Sequence, residues 1–257
     1  MIHHLFTATL LVASGVSALS ISSTCQTALT QVAANKDANA CLGVSSLLSV
    51  VLQSNASIIT PVDNWLKSLC AAPTCSNATL SAVVTNVTTG CSAELSSAGG
   101  SDGTASSITG LVEQYYPTAR QIVCLTDSGT NCVTQTLTNI QNILGTLSLN
   151  NIGTIITTAL STTTIPSNVT CTDCTKEAYN ILNKNFPSLV SSEASAVQSE
   201  CGSSFTDGAT PANIVESATT SGTTPNSATG PMMTRGALTG LGVSVLVVAT
   251  SVLAFWA

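Results

Sequence analysis

Apolar residues recur along this chain at helical rather than strand spacing, in a series of short runs. From Ser76, the positions Leu80, Val83, Val84, Val87 and Cys91 fall on one face of a helix. Ile108, Leu111, Val112 and Tyr115 repeat the pattern, as do Val133, Leu137, Ile140 and Leu144. Two more faces follow: Cys174, Ala178, Ile181 and Leu182, then Val190, Ala194, Val197 and Cys201, with Gly202 placed as a C-terminal capping glycine. Thr60-Pro61-Val62-Asp63 reads as a helix start, with Thr60 as N-cap, Pro61 first in the helix and Asp63 third, ahead of Trp65, Leu66 and Leu69. Strand signals are weaker. Ile155-Ile156-Thr157-Thr158 is β-branched, but clean period-two alternation and Asn-Gly hairpin dipeptides are missing. The pattern predicts an all-α protein built as a bundle of several short helices.

Both ends are apolar, and each reads as an address. Met1-Ile2-His3-His4, the apolar run Leu5 to Val16 and the small-x-small triplet Val16-Ser17-Ala18 form a signal peptide over 1–18, cut after Ala18. Small residues Asn226-Ser227-Ala228, a polar spacer from Thr229 to Gly236 and an apolar run from Ala237 to Ala257 match a GPI-attachment signal. Asn226 is the expected anchor residue, with Ser227 and Ser221 as second choices, and 227–257 the propeptide. The same run is long enough to span a hydrocarbon core of about 30 Å as a retained helix. No Lys or Arg follows it to hold an orientation, which favours the anchor.

Removing both ends changes the composition that matters. Lys36, Lys67, Arg120, Lys176 and Lys184 then face all twelve carboxylates of the chain. No basic stripe is present, so nucleic acid is not an expected partner. Ser, Thr and Asn supply the polar surface, and Asn55, Asn77, Asn86 and Asn168 open N-glycosylation sequons. The ten cysteines, Cys25, Cys41, Cys70, Cys75, Cys91, Cys124, Cys132, Cys171, Cys174 and Cys201, are an even set behind a signal peptide, hence an oxidised framework stapling the helices. Their connectivity is open. Cys124 and Cys132 bracket a turn-rich loop and are the one local pair that spacing suggests.

A Gly/Ser-rich linker, Ser96 to Ser107, divides a weak duplication, 25–91 and 124–201, with five cysteines in each half. Five is odd, so at least one bridge must join the halves into a single ectodomain, 19–202. From 203 to 226 the chain is rich in Ser, Thr, Gly, Ala and Pro and has little to bury, which predicts a disordered stalk.

Candidate chemistry is mostly excluded. The two histidines, His3 and His4, leave with the signal peptide, which removes Ser-His-Asp, Cys-His and His-zinc chemistry. No metal, cofactor or catalytic residue is expected. Cys171-Thr-Asp-Cys174 has redox C-x-x-C spacing, but in a secreted helical setting structural bridging is the expectation. Paired carboxylates could serve a glycosidase, yet no motif selects a pair from the twelve. Tyr115-Tyr116 before Pro117 could line a ligand pocket, and Trp65 could do the same; core packing is the expectation for Tyr115 and Trp65.

Pro61-Val-Asp-Asn-Trp-Leu-Lys-Ser-Leu-Cys70 and Cys171-Thr-Asp-Cys-Thr-Lys-Glu-Ala-Tyr-Asn-Ile-Leu resemble an uncharacterised family of fungal secreted, cysteine-rich surface proteins. The resemblance spans most of the mature chain and implies location and source, not an activity. Fungal CFEM haem-binding proteins, also GPI-anchored, carry C-x-x-x-C spacing that this chain lacks. The expectation is a non-enzymatic GPI-anchored glycoprotein of the cell surface or wall. Its partners would be the membrane through the anchor, and cell-wall glycans or a small lipid. The alternative is an extracellular carrier of a lipid or sterol in a helical cavity.

Overall fold

Several helices in this protein begin where a short polar side chain takes up a free backbone N–H. The Ser22 hydroxyl accepts from the Cys25 N–H at 3.2 Å and opens α1, Ser23–Ala34. Asn35 ends that helix and starts the next, its Oδ1 accepting from the Ala38 N–H at 2.9 Å to open α2, Lys36–Leu42. Gly43, at φ 61°, closes α2 in the left-handed conformation before a 3-10 turn at Val44–Leu47. The computed structural model describes residues 22–47, 55–97, 105–152, 155 and 166–219. The predicted signal peptide 1–18, the expected anchor residue Asn226, the expected propeptide 227–257, the middle of the linker and Ile156-Thr157-Thr158 lie outside those residues.

The remaining elements run in chain order as α3 Ile59–Ala71, α4 Asn77–Gly90, α5 Ser92–Ser97 and α6 Ala105–Val123. A hairpin follows, β1 Leu125–Asp127 and β2 Thr130–Asn131, and then α7 Cys132–Leu144. The second half is α8 Ser167–Thr170, α9 Asp173–Asn185, α10 Pro187–Val190, α11 Ala194–Cys201, a 3-10 turn Ser203–Thr206 and β3 Ile214–Glu216. The fold is helical, as the periodicity predicts, and five disulfides staple it: Cys25–Cys91, Cys41–Cys75, Cys70–Cys124, Cys132–Cys174 and Cys171–Cys201.

Several local expectations need correction. Thr60 is not the cap of α3. The helix starts earlier because the Ile58 N–H donates to the Leu147 carbonyl at 2.9 Å, so a distant strand of chain supplies the partner a side-chain cap would have supplied. Asp63 turns outward to Lys67 at 2.7 Å and to the Thr134 hydroxyl at 2.9 Å. Cys124 and Cys132 do not bridge each other. The loop between them folds as a hairpin, with Thr126 opposite Asn131 and Asp127 opposite Thr130. Ser128 and Gly129, at φ 50° and 85°, form the tight turn. Asn131 then caps α7, accepting from the Val133 and Thr134 N–H groups, while its Nδ2 donates to the Val123 carbonyl at 2.8 Å.

The stalk does not begin at Ser203. Phe205 is buried against Tyr179, and β3 pairs antiparallel with β1 to complete a sheet of order β2-β1-β3. The domain continues through Thr219, whose N–H donates to the Cys70 carbonyl at 2.9 Å. The parts of the linker at Ser96–Ser97 and Ala105–Ser107 are helical. The bridges also differ between the halves. Cys25–Cys91 encloses Cys41–Cys75, whereas Cys132–Cys174 and Cys171–Cys201 interleave, so the framework is not a duplicated one.

One bridge, Cys70–Cys124, joins the halves, and it lies in a core that draws Val62, Trp65, Leu66 and Leu69 from one side and Val123, Leu137 and Leu147 from the other. Trp65 is a core anchor, as expected, its indole N–H donating to the Leu42 carbonyl at 2.7 Å. The carbonyls at the end of α3 find partners from distant chain: Arg120 Nη2 donates to the Cys70 and Ala72 carbonyls, and the Thr219 hydroxyl donates to the Ala71 carbonyl.

α1 crosses α4 so closely that a Cβ added at Gly90 would sit 2.2 Å from the Ala28 Cβ. No L side chain fits there without separating the helices. Gly90→Val is expected to destabilise by about 2 kcal/mol, read as a lowered thermal midpoint, whereas Gly110→Ala, which meets nothing within 4 Å, should not.

Candidate functional site

The polar face of α9 is the starting point for a cleft among the described residues. The Thr172 hydroxyl caps this helix by accepting from the Thr175 N–H at 3.1 Å. Helical spacing then places Lys176, Glu177 and Asn180 toward the segment that follows the last 3-10 turn. Lys176 Nζ pairs with Asp207 Oδ1 at 2.9 Å, and that oxygen also accepts from the Ala209 N–H at 2.8 Å. Asn180 Nδ2 donates to the Ala209 carbonyl and to Glu177 Oε2, both at 3.2 Å. The Thr210 hydroxyl donates to Glu177 Oε1, also at 3.2 Å. Gly208, at φ 75°, permits the bend between Asp207 and Ala209. Residues 207–216 are thereby strapped along α9 and delivered into β3.

Between α9, this strap and the β1–β3 edge opens a cleft of about 530 Å³. Leu125, Ile181 and Ile214 form its apolar floor, and polar side chains from α9, the strap, Gln121 and Glu216 form its walls. Two of the twelve carboxylates, Glu177 and Glu216, line it. Glu177 holds the strap through Oε1, which accepts from Thr210, while its Oε2 accepts from Asn180 on the same helix. The Asp207 carboxyl is held below its ordinary range, first by the Lys176 hydrogen bond and then by the Ala209 N–H. A carboxylate lowered in the folded state adds stability above its unfolded value, and that contribution is lost as pH falls through the folded one. The strap is therefore expected to loosen below about pH 4, seen as faster amide exchange at Ala209 and Ile214 while α3 stays protected.

A second, shallower cleft of about 370 Å³ runs between α1 and α4, lined by Thr24, Thr27, Gln31, Thr89 and Asn86. Asn86 is the one sequon residue that is half-buried; Asn55, Asn77 and Asn168 are exposed. Neither cleft is the apolar cavity that a lipid carrier would need. Tyr115 and Tyr116 lie at neither. Tyr115 packs on Phe186 with ring centroids 4.6 Å apart, and the Tyr116 hydroxyl accepts from the Cys75 N–H at 3.1 Å.

The C-x-x-C pair is split between two bridges, Cys174 to Cys132 and Cys171 to Cys201, so it is not a dithiol pair. Cys171 and Cys201 are both half-buried, whereas the other eight cysteines are buried. Access limits thiol attack on a disulfide. Mild reduction followed by alkylation and peptide mapping should therefore label Cys171 and Cys201 first. Labelling of Cys70 or Cys124 at the same stage would contradict this.

The wall formed by 207–216 was hidden within a Ser/Thr/Gly-rich tract. The signal that could have exposed it is the recurrence of large apolar residues there, Phe205 and Ile214-Val215, around an Asp-Gly turn. Among the described residues no group of three or more His, Cys, Asp or Glu side chains could hold a metal, and no helix is long and apolar enough to cross a membrane.

No curated protein and no solved structure matches the chain. A family profile matches residues 12–210, a span that runs past Gly202 into the strap. The chain belongs to the family described as a domain of unknown function, DUF7729.

Proposed function

We propose that the protein is a non-enzymatic glycoprotein of the fungal cell surface or wall, exported by signal peptide 1–18 and held by a GPI anchor at Asn226. The observation that carries the reading is that all ten cysteines are closed in five bridges, a framework that persists in oxidising compartments. The terminal apolar runs, the exposed sequons Asn55, Asn77 and Asn168, and the absence of histidine between them support it. The resemblance of Pro61–Cys70 to fungal surface proteins supports the source.

Thr219 donates its N–H to the Cys70 carbonyl, so the Ser/Thr-rich chain toward Asn226 would depart from beside the bridge that joins the halves. Treating intact cells with a phosphatidylinositol-specific phospholipase tests the anchor. Release of the domain into the medium is expected. Retention in the membrane fraction with residues 237–257 still attached would overturn the anchor.

A further inference from the structure

We propose that the cleft between α9 and the 207–216 strap is a binding site for a neutral oligosaccharide. Its volume of about 530 Å³ falls within the range of small-molecule sites, about 300–1,000 Å³. The side chains then narrow the class of ligand. Gln121, Asn183 and Asn185 line the cleft, and among the described residues their amides have no hydrogen-bond partner. Each amide offers both a donor and an acceptor, which is the complement a sugar hydroxyl needs.

Other classes fit less well. Glu177 and Glu216 outnumber Lys184, so an anion meets net negative charge. A cation would lack a cluster of ligating side chains. A lipid would find little to bury against, since Leu125 is 2% and Ile214 7% exposed. No aromatic ring lines the cleft, so stacking contributes nothing and binding rests on hydrogen bonds. The affinity is therefore weak, with Kd on the order of 1 mM.

The site also has a built frame. Glu177, Asn180 and Lys176 are occupied in fixing the strap, which leaves Asn183 and Asn185 at the end of α9 and Gln121 on α6 to meet the ligand. The surface-glycoprotein reading enters only in saying where such a sugar would be met, at the wall. The binding measurement does not depend on the anchor and fails or succeeds separately from it.

The test titrates trimers of β-1,3-linked glucose, α-1,6-linked mannose and β-1,4-linked N-acetylglucosamine onto the purified full-length protein after its own N-glycans are removed. Saturation-transfer NMR and calorimetry give the readout. At least one trimer is expected to bind, and an Asn183→Ala/Asn185→Ala variant to weaken it about tenfold, as loss of one or two hydrogen bonds would. Asn183 and Asn185 are exposed, so this variant should keep the native melting temperature. Gln121→Ala provides an independent second variant, and Asn77→Gln, on another face, should leave binding unchanged. No binding of any trimer below about 10 mM, or equal binding by wild type and both cleft variants, overturns the proposal.

Discussion

Replacing Cys70 and Cys124 together by alanine is expected to leave the domain unfolded or nearly so at 37 °C. The bridge closes a sequence separation of 54 residues, and loop-closure entropy alone assigns that about 4 kcal/mol. By that count Cys25–Cys91, with a separation of 66, should matter slightly more. Cys25 and Cys91 are also buried, at 5% and 4% exposed, so what reverses the order is that Cys70–Cys124 lies in the core to which both halves contribute, while Cys25–Cys91 lies in a core drawn from the first half alone. Cys124 is 0% and Cys70 5% exposed, inside the core shared by the two halves, so the double substitution also opens a void worth about 1–2 kcal/mol.

The same bridge fixes the carbonyls that receive Ser217 and Thr219, and with them the return of β3. A total near 5 kcal/mol is comparable to the whole stability of a small domain. Thermal unfolding followed by circular dichroism checks this against a Cys171→Ala/Cys201→Ala variant. That bridge holds α11, which buries none of its residues, so its loss should loosen one edge and leave the main transition largely in place. Equal losses in the two variants would show that chain entropy, not placement, governs this framework.

Arg120→Ala is expected to cost about 3–4 kcal/mol, through lost packing and the Ala72 carbonyl left unpaired, while the Cys70 carbonyl keeps the Thr219 N–H. Arg120 is 3% exposed, and its guanidinium points at the C-terminal end of α3, where the carbonyls of Cys70 and Ala72 accept from Nη2. A cation there is favoured by the negative end of the helix dipole. Nε and Nη1 nonetheless find no protein partner, so the buried charge is only partly compensated.

Two opposed effects of similar size therefore meet at one side chain: hydrogen bonds of about 1.5–3 kcal/mol each to a charged donor, and a desolvation cost of several kcal/mol. Arg120→Met removes both while keeping most of the volume, and should lose only about 1–2 kcal/mol. Urea denaturation separates the cases. If Met and Ala lose equally, packing contributes nothing and the carbonyl contacts carry the residue.

Helices were legible where their causes are local. Ser76 and the 80–84–87 stripe predict α4 because caps and apolar faces repeat within a few residues, and Gly202 follows the same logic at the end of α11. The start of α3 was not, because the partner of Ile58 is Leu147, nearly ninety positions away. Pairings at that distance leave no mark in a window of ten or fifteen residues. The odd count of five cysteines per half did require a bridge between halves, but not which one.

The candidate cleft was the least legible part. Its floor comes from β1 and α9, read as loop and helix, while its far wall comes from a tract whose composition resembles a stalk. Phe205 and Ile214 order that tract by entering cores that the rest of the chain has already built. By itself, the sequence of this protein determined the helical class, the oxidised framework and the polar, weakly charged surface. Each follows from residue type and short-range spacing. Only the tertiary structure decided which cysteines meet, that the fold continues past Gly202 and where a cleft opens, because these depend on loops closed over thirty to ninety residues, whose small entropic differences are outweighed by packing in the shared core.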